Sequence, residues 1–322
     1  MNFINLFESF TSSTSEENLS AVPIKGTNHL LAKDFNQNPY FLFKVIENNS
    51  SPIAINLYNL STLPNEKLRV VVNGQIHENK YYLIKYEAKD GDLQDIFLKI
   101  IGSLVEYIGE EFSSRDFDNL VTKLVELFRT ISESKPTISI QGLWAELFCI
   151  SLTNEPEKFI TGWHRNPKEK FDFSFDGLAI EVKSTSKRNP RSHIFKQEQL
   201  ESISNQKIII ASVITEEMDG GGLSISDLIE KIEGSIDNSD CLIKLNQVVC
   251  ESLGSDISKI NDYSYNFNLA KDLFSIYDSQ NIPQILDSHR NISNITFRAN
   301  IDDIEMLNKS LDDILISATL EV

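Results

Sequence analysis

Residues 170–185 read KFDFSFDGLAIEVKST, two runs that alternate apolar and polar side chains about the dipeptide Asp176-Gly177. That dipeptide favours the centre of a tight turn, so the segment predicts a β-hairpin. With those two residues as the loop, Phe175 pairs with Leu178, Phe173 with Ile180 and Phe171 with Val182 on an apolar face. The other face pairs Ser174 with Ala179, Asp172 with Glu181 and Lys170 with Lys183. Cross-strand neighbours have Cβ atoms about 4.5–5.5 Å apart, and like charges so placed repel unless something offsets them. A divalent cation does so, and Lys183 projects to the same face as Glu181 two residues earlier. Hard carboxylate oxygens with room for water favour Mg²⁺ or Mn²⁺. Such a cation lowers the pKa of water and stabilises charge on a phosphate, while the lysine orients or deprotonates the nucleophile. A solvated sheet face carrying a Lys–Glu neighbour pair is the plainer alternative.

Upstream, residues 138–152 read ISIQGLWAELFCISL. They are apolar on nearly every face, which predicts a helix inside the protein. Glu146 stands three and four residues from Leu143 and Ile150, on or beside the buried face. An ionised carboxylate there is costly unless it is paired or holds a metal. A neutral or Lys-paired glutamate at the rim of the core is the alternative.

Glu146 on a helix, Phe171-Asp172 on one strand and Glu181-Val182-Lys183 on the next resemble the PD-(D/E)XK nuclease superfamily. Phe171 stands where the motif name has proline, and the spacing from Asp172 to Glu181 is short. More narrowly, GLWAEL, RNPKEKFDFSFDGLAIEVKST and SHIFKQEQL are similar to a bacterial PD-(D/E)XK family found beside restriction, methylation and phage-defence genes; the match covers about residues 142–214. The resemblance implies an α/β protein whose restriction-endonuclease-like mixed sheet is flanked by helices, with a β-rich N-terminal part. It implies a Mg²⁺- or Mn²⁺-dependent deoxyribonuclease with Asp172, Glu181 and Lys183 catalytic and Glu146, Asp172 and Glu181 as metal ligands. A nuclease-like subunit retained as a non-catalytic scaffold is the alternative function.

Charge is distributed unevenly. The whole chain of 322 residues carries a net −17, yet residues 158–200 hold nine basic side chains against five acidic, a local +4 in a remainder of −21. A basic strip around an acidic metal site suits phosphate-backbone binding. Lys187, Arg188 and Arg191, directly after the second hairpin strand, are the candidate DNA clamp, and His193 faces the site if a polar helix spans residues 193–204. Trp163-His164 reads as core and edge in preference to a base-stacking platform. The acidic remainder disfavours independent tight DNA binding and points to partner subunits, such as a helicase-type ATPase or a DNA methyltransferase, that deliver the DNA.

Several classes are excluded. Three cysteines are too few and too far apart for a disulfide framework or a four-ligand zinc site. The five histidines include no pair at helical metal-binding spacing. Gly220–Gly222 lacks the Lys-Ser/Thr of a phosphate loop. No apolar run approaches the roughly 20 residues of a membrane span, and the first residues do not read as a signal peptide, so a cytoplasmic protein is expected.

The organisation expected is a polar lead-in over residues 1–38, a β-rich domain over 39–90, helices and the nuclease-like core over 91–214, and an α+β extension over 215–322. Within these, strands are expected at 159–163, 170–175, 178–184 and 207–214 and in YSYNFNL, LFSIY and ITFRANI. Amphipathic helices are expected at 228–236 and 241–253, with a closing helix at 306–315.

Overall fold

A computed structural model describes residues 3–46, 54–57, 59–87, 91–108, 112–133, 136–165, 169–201, 206–285 and 292–320. The chain divides into two compact units, residues 1–135 and 136–322.

In the first unit α1 (Phe3–Glu8) precedes strands β1 (Leu19–Pro23), β2 (Leu30–Lys33), β3 (Pro39–Phe43), β4 (Ile55–Leu57), β5 (Leu60–Val72) and β6 (Gln75–Tyr86). Helices α2 (Gly91–Ile108) and α3 (Ser114–Glu133) follow. The sheet runs β1-β2-β3-β6-β5-β4, and β1 also pairs with β5 in parallel, so β1, β2, β3, β6 and β5 close into a ring. Closure pairs β1, β2 and β3 on both sides, while among the described residues 66–69 and 75–81 of the β5–β6 hairpin are paired on one side only. Alternation sends Leu30, Ala32, Leu42 and Leu83 to one buried cluster together with Leu19, Ala21 and Val70. The intervening Phe41, Phe43, Tyr82 and Tyr86 meet aromatic side chains of the helices: Phe41 and Tyr86 touch Phe97, and Phe43 and Tyr82 touch Phe117. The stretch expected as a polar lead-in thus forms α1, β1 and β2. LSAVP and LLAK are too short to carry a legible period, and only their pairing partners make them strands.

The second unit holds α4 (Ile140–Leu152), α5 (Pro156–Gly162), β7 (Phe173–Phe175), β8 (Leu178–Thr185), β9 (Ser192–Lys196) and β10 (Lys207–Ile214). These continue with α6 (Ile225–Glu233), α7 (Ser239–Leu253), α8 (Phe267–Asp272), β11 (Ser275–Asp278), β12 (Thr296–Asn300) and α9 (Leu311–Leu320). The central sheet is mixed, ordered β11-β10-β8-β7, with β8 and β10 parallel and both outer pairings antiparallel. The antiparallel β9–β12 ribbon packs on one face through Phe195, Ala299 and Ile301, against Ala179, Ile208, Ile210 and Tyr277. Helix α4 packs against β8 and α6, with residues 143–150 all buried. Ser139 caps α4 by accepting from the Gly142 amide, 3.1 Å away.

Four expectations change. Residues 159–163, read as a strand, lie in α5 and its end, because Pro156 sits in the helix's first turn and favours helix there. Residues 193–196, read as the start of a polar helix, lie in β9, followed by a short 3₁₀ turn at Gln197–Gln199; residues 202–204 of that expected helix lie outside the described residues. YSYNFNL forms no strand beyond bridges at Tyr265, and its second half enters α8. The closing helix starts at Leu311, after Ser310, which caps it with Asp313.

Candidate metal centre

The hairpin forms as its turn residues dictate. Phe175 pairs with Leu178, Ser174 with Ala179 and Phe173 with Ile180, and Gly177 takes φ +72°, a conformation that a side chain resists. The ladder then stops. Phe173 bridges to Trp163 on its other side, and the Asp172 carbonyl accepts from the His164 amide at 3.0 Å. Asp172 is therefore not a ladder partner of Glu181; it bends in, and its Oδ2 accepts from the Val182 amide at 2.7 Å. Lys170 turns away from Lys183 and donates to the Glu201 carbonyl at 3.2 Å.

Two further acids lie near Asp172, of which Glu146 shares a donor group with it whereas Glu181, expected as a metal ligand, falls outside that group. Glu146 is buried, and its Oε2 accepts from Trp163 Nε1 at 2.7 Å and lies 2.9 Å from His164 Nε2. Glu181 is buried, and its Oε1 accepts from Lys183 Nζ at 2.7 Å and Gln199 Nε2 at 2.5 Å. The second oxygen, Glu181 Oε2, is buried without a hydrogen-bond partner. Lys183 also donates to Gln199 Oε1 at 3.1 Å, so one glutamine fixes both members of the Glu-x-Lys motif.

The acids repel one another. Burial, then the charges of Glu181 and Glu146, hold Asp172 well above the usual carboxylate range. Burial also raises Glu181, although Lys183 pulls the other way. For His164 burial acts to lower the pKa, but its bond to Glu146 and the charges of Glu146, Glu181 and Glu169 outweigh burial and raise it. A cluster that resists ionising together and leaves a buried carboxylate oxygen unsatisfied fits a divalent cation. Glu146, His164 and Asp172 each offer one donor atom, all within 4.8 Å of one another.

The expected DNA-clamp residues separate. Lys187 and Arg188 are exposed, with Arg188 ion-paired to Glu216. Arg191 is buried: its guanidinium donates to Ser275 Oγ and the Leu273 carbonyl, each at 2.6 Å. His193 is buried with Nε2 2.7 Å from Ser212 Oγ, and burial, then Arg191 and Lys183, push its pKa down to about 3. Both residues brace the sheet face instead of lining an open groove. Lys168, counted in the basic strip, lies outside the described residues.

Sequence reading missed His164 and Gln199. Trp163 is core as expected, with the further role of donating to Glu146. Nothing local marks His164 beyond its place beside a tryptophan, since its neighbours in space are 18 and 8 positions away in the chain. Gln199 carried a signal only in retrospect, as a polar residue after the buried Phe195.

A mixed α/β sheet flanked by helices, with an acid on a buried helix beside a hairpin bearing Asp and Glu-x-Lys, defines a nuclease-like protein of restriction-endonuclease type. A family model described as "Putative PD-(D/E)XK family member, (DUF4420)" matches residues 3–302. The chain belongs to that family. No curated protein and no solved structure matches it. No helix among the described residues is long and apolar enough to cross a membrane.

Proposed function

We propose that the chain is a divalent-metal-dependent deoxyribonuclease, the nuclease subunit of a restriction or phage-defence system. The observation that carries this reading is Glu181. One of its oxygens is engaged by Lys183 and Gln199, the other is buried without a partner, and Asp172 stands close enough to raise its own pKa against it. A structural sheet gains nothing from that arrangement, because a buried unsatisfied carboxylate is costly.

Glu146, Asp172 and Glu181 would hold a Mg²⁺ or Mn²⁺ ion, which when bound supplies Lewis-acid stabilisation of charge on a scissile phosphate and activates water as the nucleophile. Trp163 holds the Glu146 carboxylate in place through its indole N–H. The ammonium of Lys183, steadied by Gln199, is positioned to orient the attacking nucleophile and to offset charge developing on the phosphate. Exposed Lys187 and Arg188 supply cations for the DNA backbone next to the site. The acidic remainder of the chain supports delivery of DNA by partner subunits, a helicase-type ATPase or a methyltransferase.

The test is to incubate the full chain with supercoiled plasmid and with single-stranded DNA in Mg²⁺ or Mn²⁺. Nicking or degradation is expected, and Asp172→Ala or Lys183→Ala should reduce it on the order of 10³-fold or more while folding persists. A variant that retained full activity would refute the assignment. Absence of metal binding together with absence of cleavage of either DNA would leave the scaffold reading.

A further inference from the structure

We propose that His164 is a direct nitrogen ligand of this metal centre and makes it select Mn²⁺ over Mg²⁺. The inference rests on the metal-centre reading above and adds the identity of the ion. Sequence reading expected a site built of oxygen atoms alone; the fold brings an imidazole into it.

Position is the first argument. His164 Nε2 lies 2.9 Å from Glu146 Oε2, and one donor atom from each of Glu146, His164 and Asp172 falls within 4.8 Å of the others. Two donors each about 2.1 Å from one cation and at right angles to each other are about 3.0 Å apart, so the spacing of His164 and Glu146 suits neighbouring ligands. Backbone geometry is the second argument. His164 has φ +39°, in the left-handed region that a non-glycine residue rarely enters. Its amide is tied to the Asp172 carbonyl at 3.0 Å. The chain thus spends conformational energy to hold this imidazole beside Asp172, and such outliers concentrate where geometry serves function.

A role for His164 as counter-ion to Glu146 alone explains less. Trp163 Nε1 already donates to the same Glu146 oxygen, 2.7 Å away. The side chain of His164 also keeps 31% of its surface exposed, so it borders the place where solvent reaches the acids.

Ligand chemistry then selects the ion. Mg²⁺ is hard, strongly hydrated and held mostly by oxygen, whereas an imidazole among carboxylates favours transition ions over it. Mn²⁺ accepts both donor types in the octahedral geometry that carboxylates and water impose.

The experiment is calorimetric titration of Mn²⁺ and, separately, Mg²⁺ into the full chain and its His164→Ala variant, with pulsed EPR of Mn²⁺ bound to the wild type. The wild type should bind Mn²⁺ about tenfold or more tightly than Mg²⁺, and its EPR should carry a ¹⁴N coupling from a directly bound imidazole. His164→Ala should weaken Mn²⁺ about tenfold to a hundredfold, as loss even of a group that supports a ligand does, and leave Mg²⁺ nearly unchanged. Bound Mn²⁺ without the ¹⁴N coupling overturns the proposal whether or not the variant folds. Equal loss of both metals in a folded variant also overturns it, leaving His164 as a support for Glu146. Binding of neither metal by the wild type removes the metal-centre reading as well.

Discussion

The closed ring of the first unit and the mixed sheet of the second each surround an apolar cluster, yet they bury different things beside it. The ring fills its inside with Leu19, Ala21, Leu30, Ala32, Leu42, Val70 and Leu83 and stacks Phe41, Phe43, Tyr82 and Tyr86 on its helices. The mixed sheet is as apolar around Ala179, Ile208 and Ile210, but two residues further along β8 and β10 it turns polar. Lys183, Ser212 and Ser275 stand in register across β8, β10 and β11. Each is met by a residue from one short stretch: Gln199 on Lys183, His193 on Ser212 and Arg191 on Ser275. A sheet that only needs to be stable is filled like the ring; one that buries acids, a lysine and its bracing partners is built for chemistry and sacrifices stability there.

This contrast can be broken in the ring first. Phe41 is fully buried between Phe3 and Phe97, so Phe41→Ala should cost about 3–5 kcal/mol. Urea unfolding should register it as a lower midpoint, and an undetectable shift would deny that the ring is packed against its helices. A smaller loss, about 1.5–3 kcal/mol, is expected for Arg191→Ala, which leaves Ser275 and the Leu273 carbonyl without their charged donor. Lys187→Ala, four residues earlier but exposed, should leave the midpoint unchanged and only flatten the salt dependence of DNA binding. If the two variants behaved alike, Arg191 would belong to the DNA surface after all.

The smallest effect has the opposite sign. Asp172→Asn should stabilise the metal-free chain at pH 7 on the order of 1 kcal/mol, because it removes an ionisable group whose charge is disfavoured first by burial and then by Glu181 and Glu146, while keeping an acceptor for the Val182 amide. Folded Asp172 holds its proton to higher pH than an unfolded one, so its contribution to stability falls as pH rises through the raised pKa. The advantage of the Asn variant should therefore grow with rising pH above the ordinary carboxylate range and vanish below it. Thermal unfolding of both proteins across that range would reveal the trend, and a constant difference would mean that the raised pKa of Asp172 is not the cause.

The sequence displayed the hairpin and its acids because a turn dipeptide and a two-residue period are local signals. Register from Phe173 to Phe175 followed from Asp176-Gly177 alone. Glu146 was legible as an acid on an apolar helix, and it lies buried there. What escaped reading depends on contacts between distant residues. Strand β9 alternates, but with His193 inside and Ile194 51% exposed, which inverts the pattern that hydrophobicity teaches one to seek. The pairing of Asp172 with Glu181 was expected from an ideal ladder; the ladder ends instead at Phe173, and the Asp172 carboxylate accepts from the Val182 amide, a contact no spacing rule contains. His164 enters the centre for the same reason, carried in by the turn after α5.

The parallel seam between β1 and β5 also sets a schedule for synthesis. Leu19 pairs with Val70, so the strand made first remains without that neighbour until about fifty more residues have left the ribosome, several seconds at ordinary elongation rates. Strands β1, β2 and β3 can meander together meanwhile, but the ring closes only when the long β5–β6 hairpin arrives and supplies both β3 and β1 with partners. Until then the nascent chain presents an open sheet with an apolar face, and the seconds before closure are when it is most exposed to pairing with another chain.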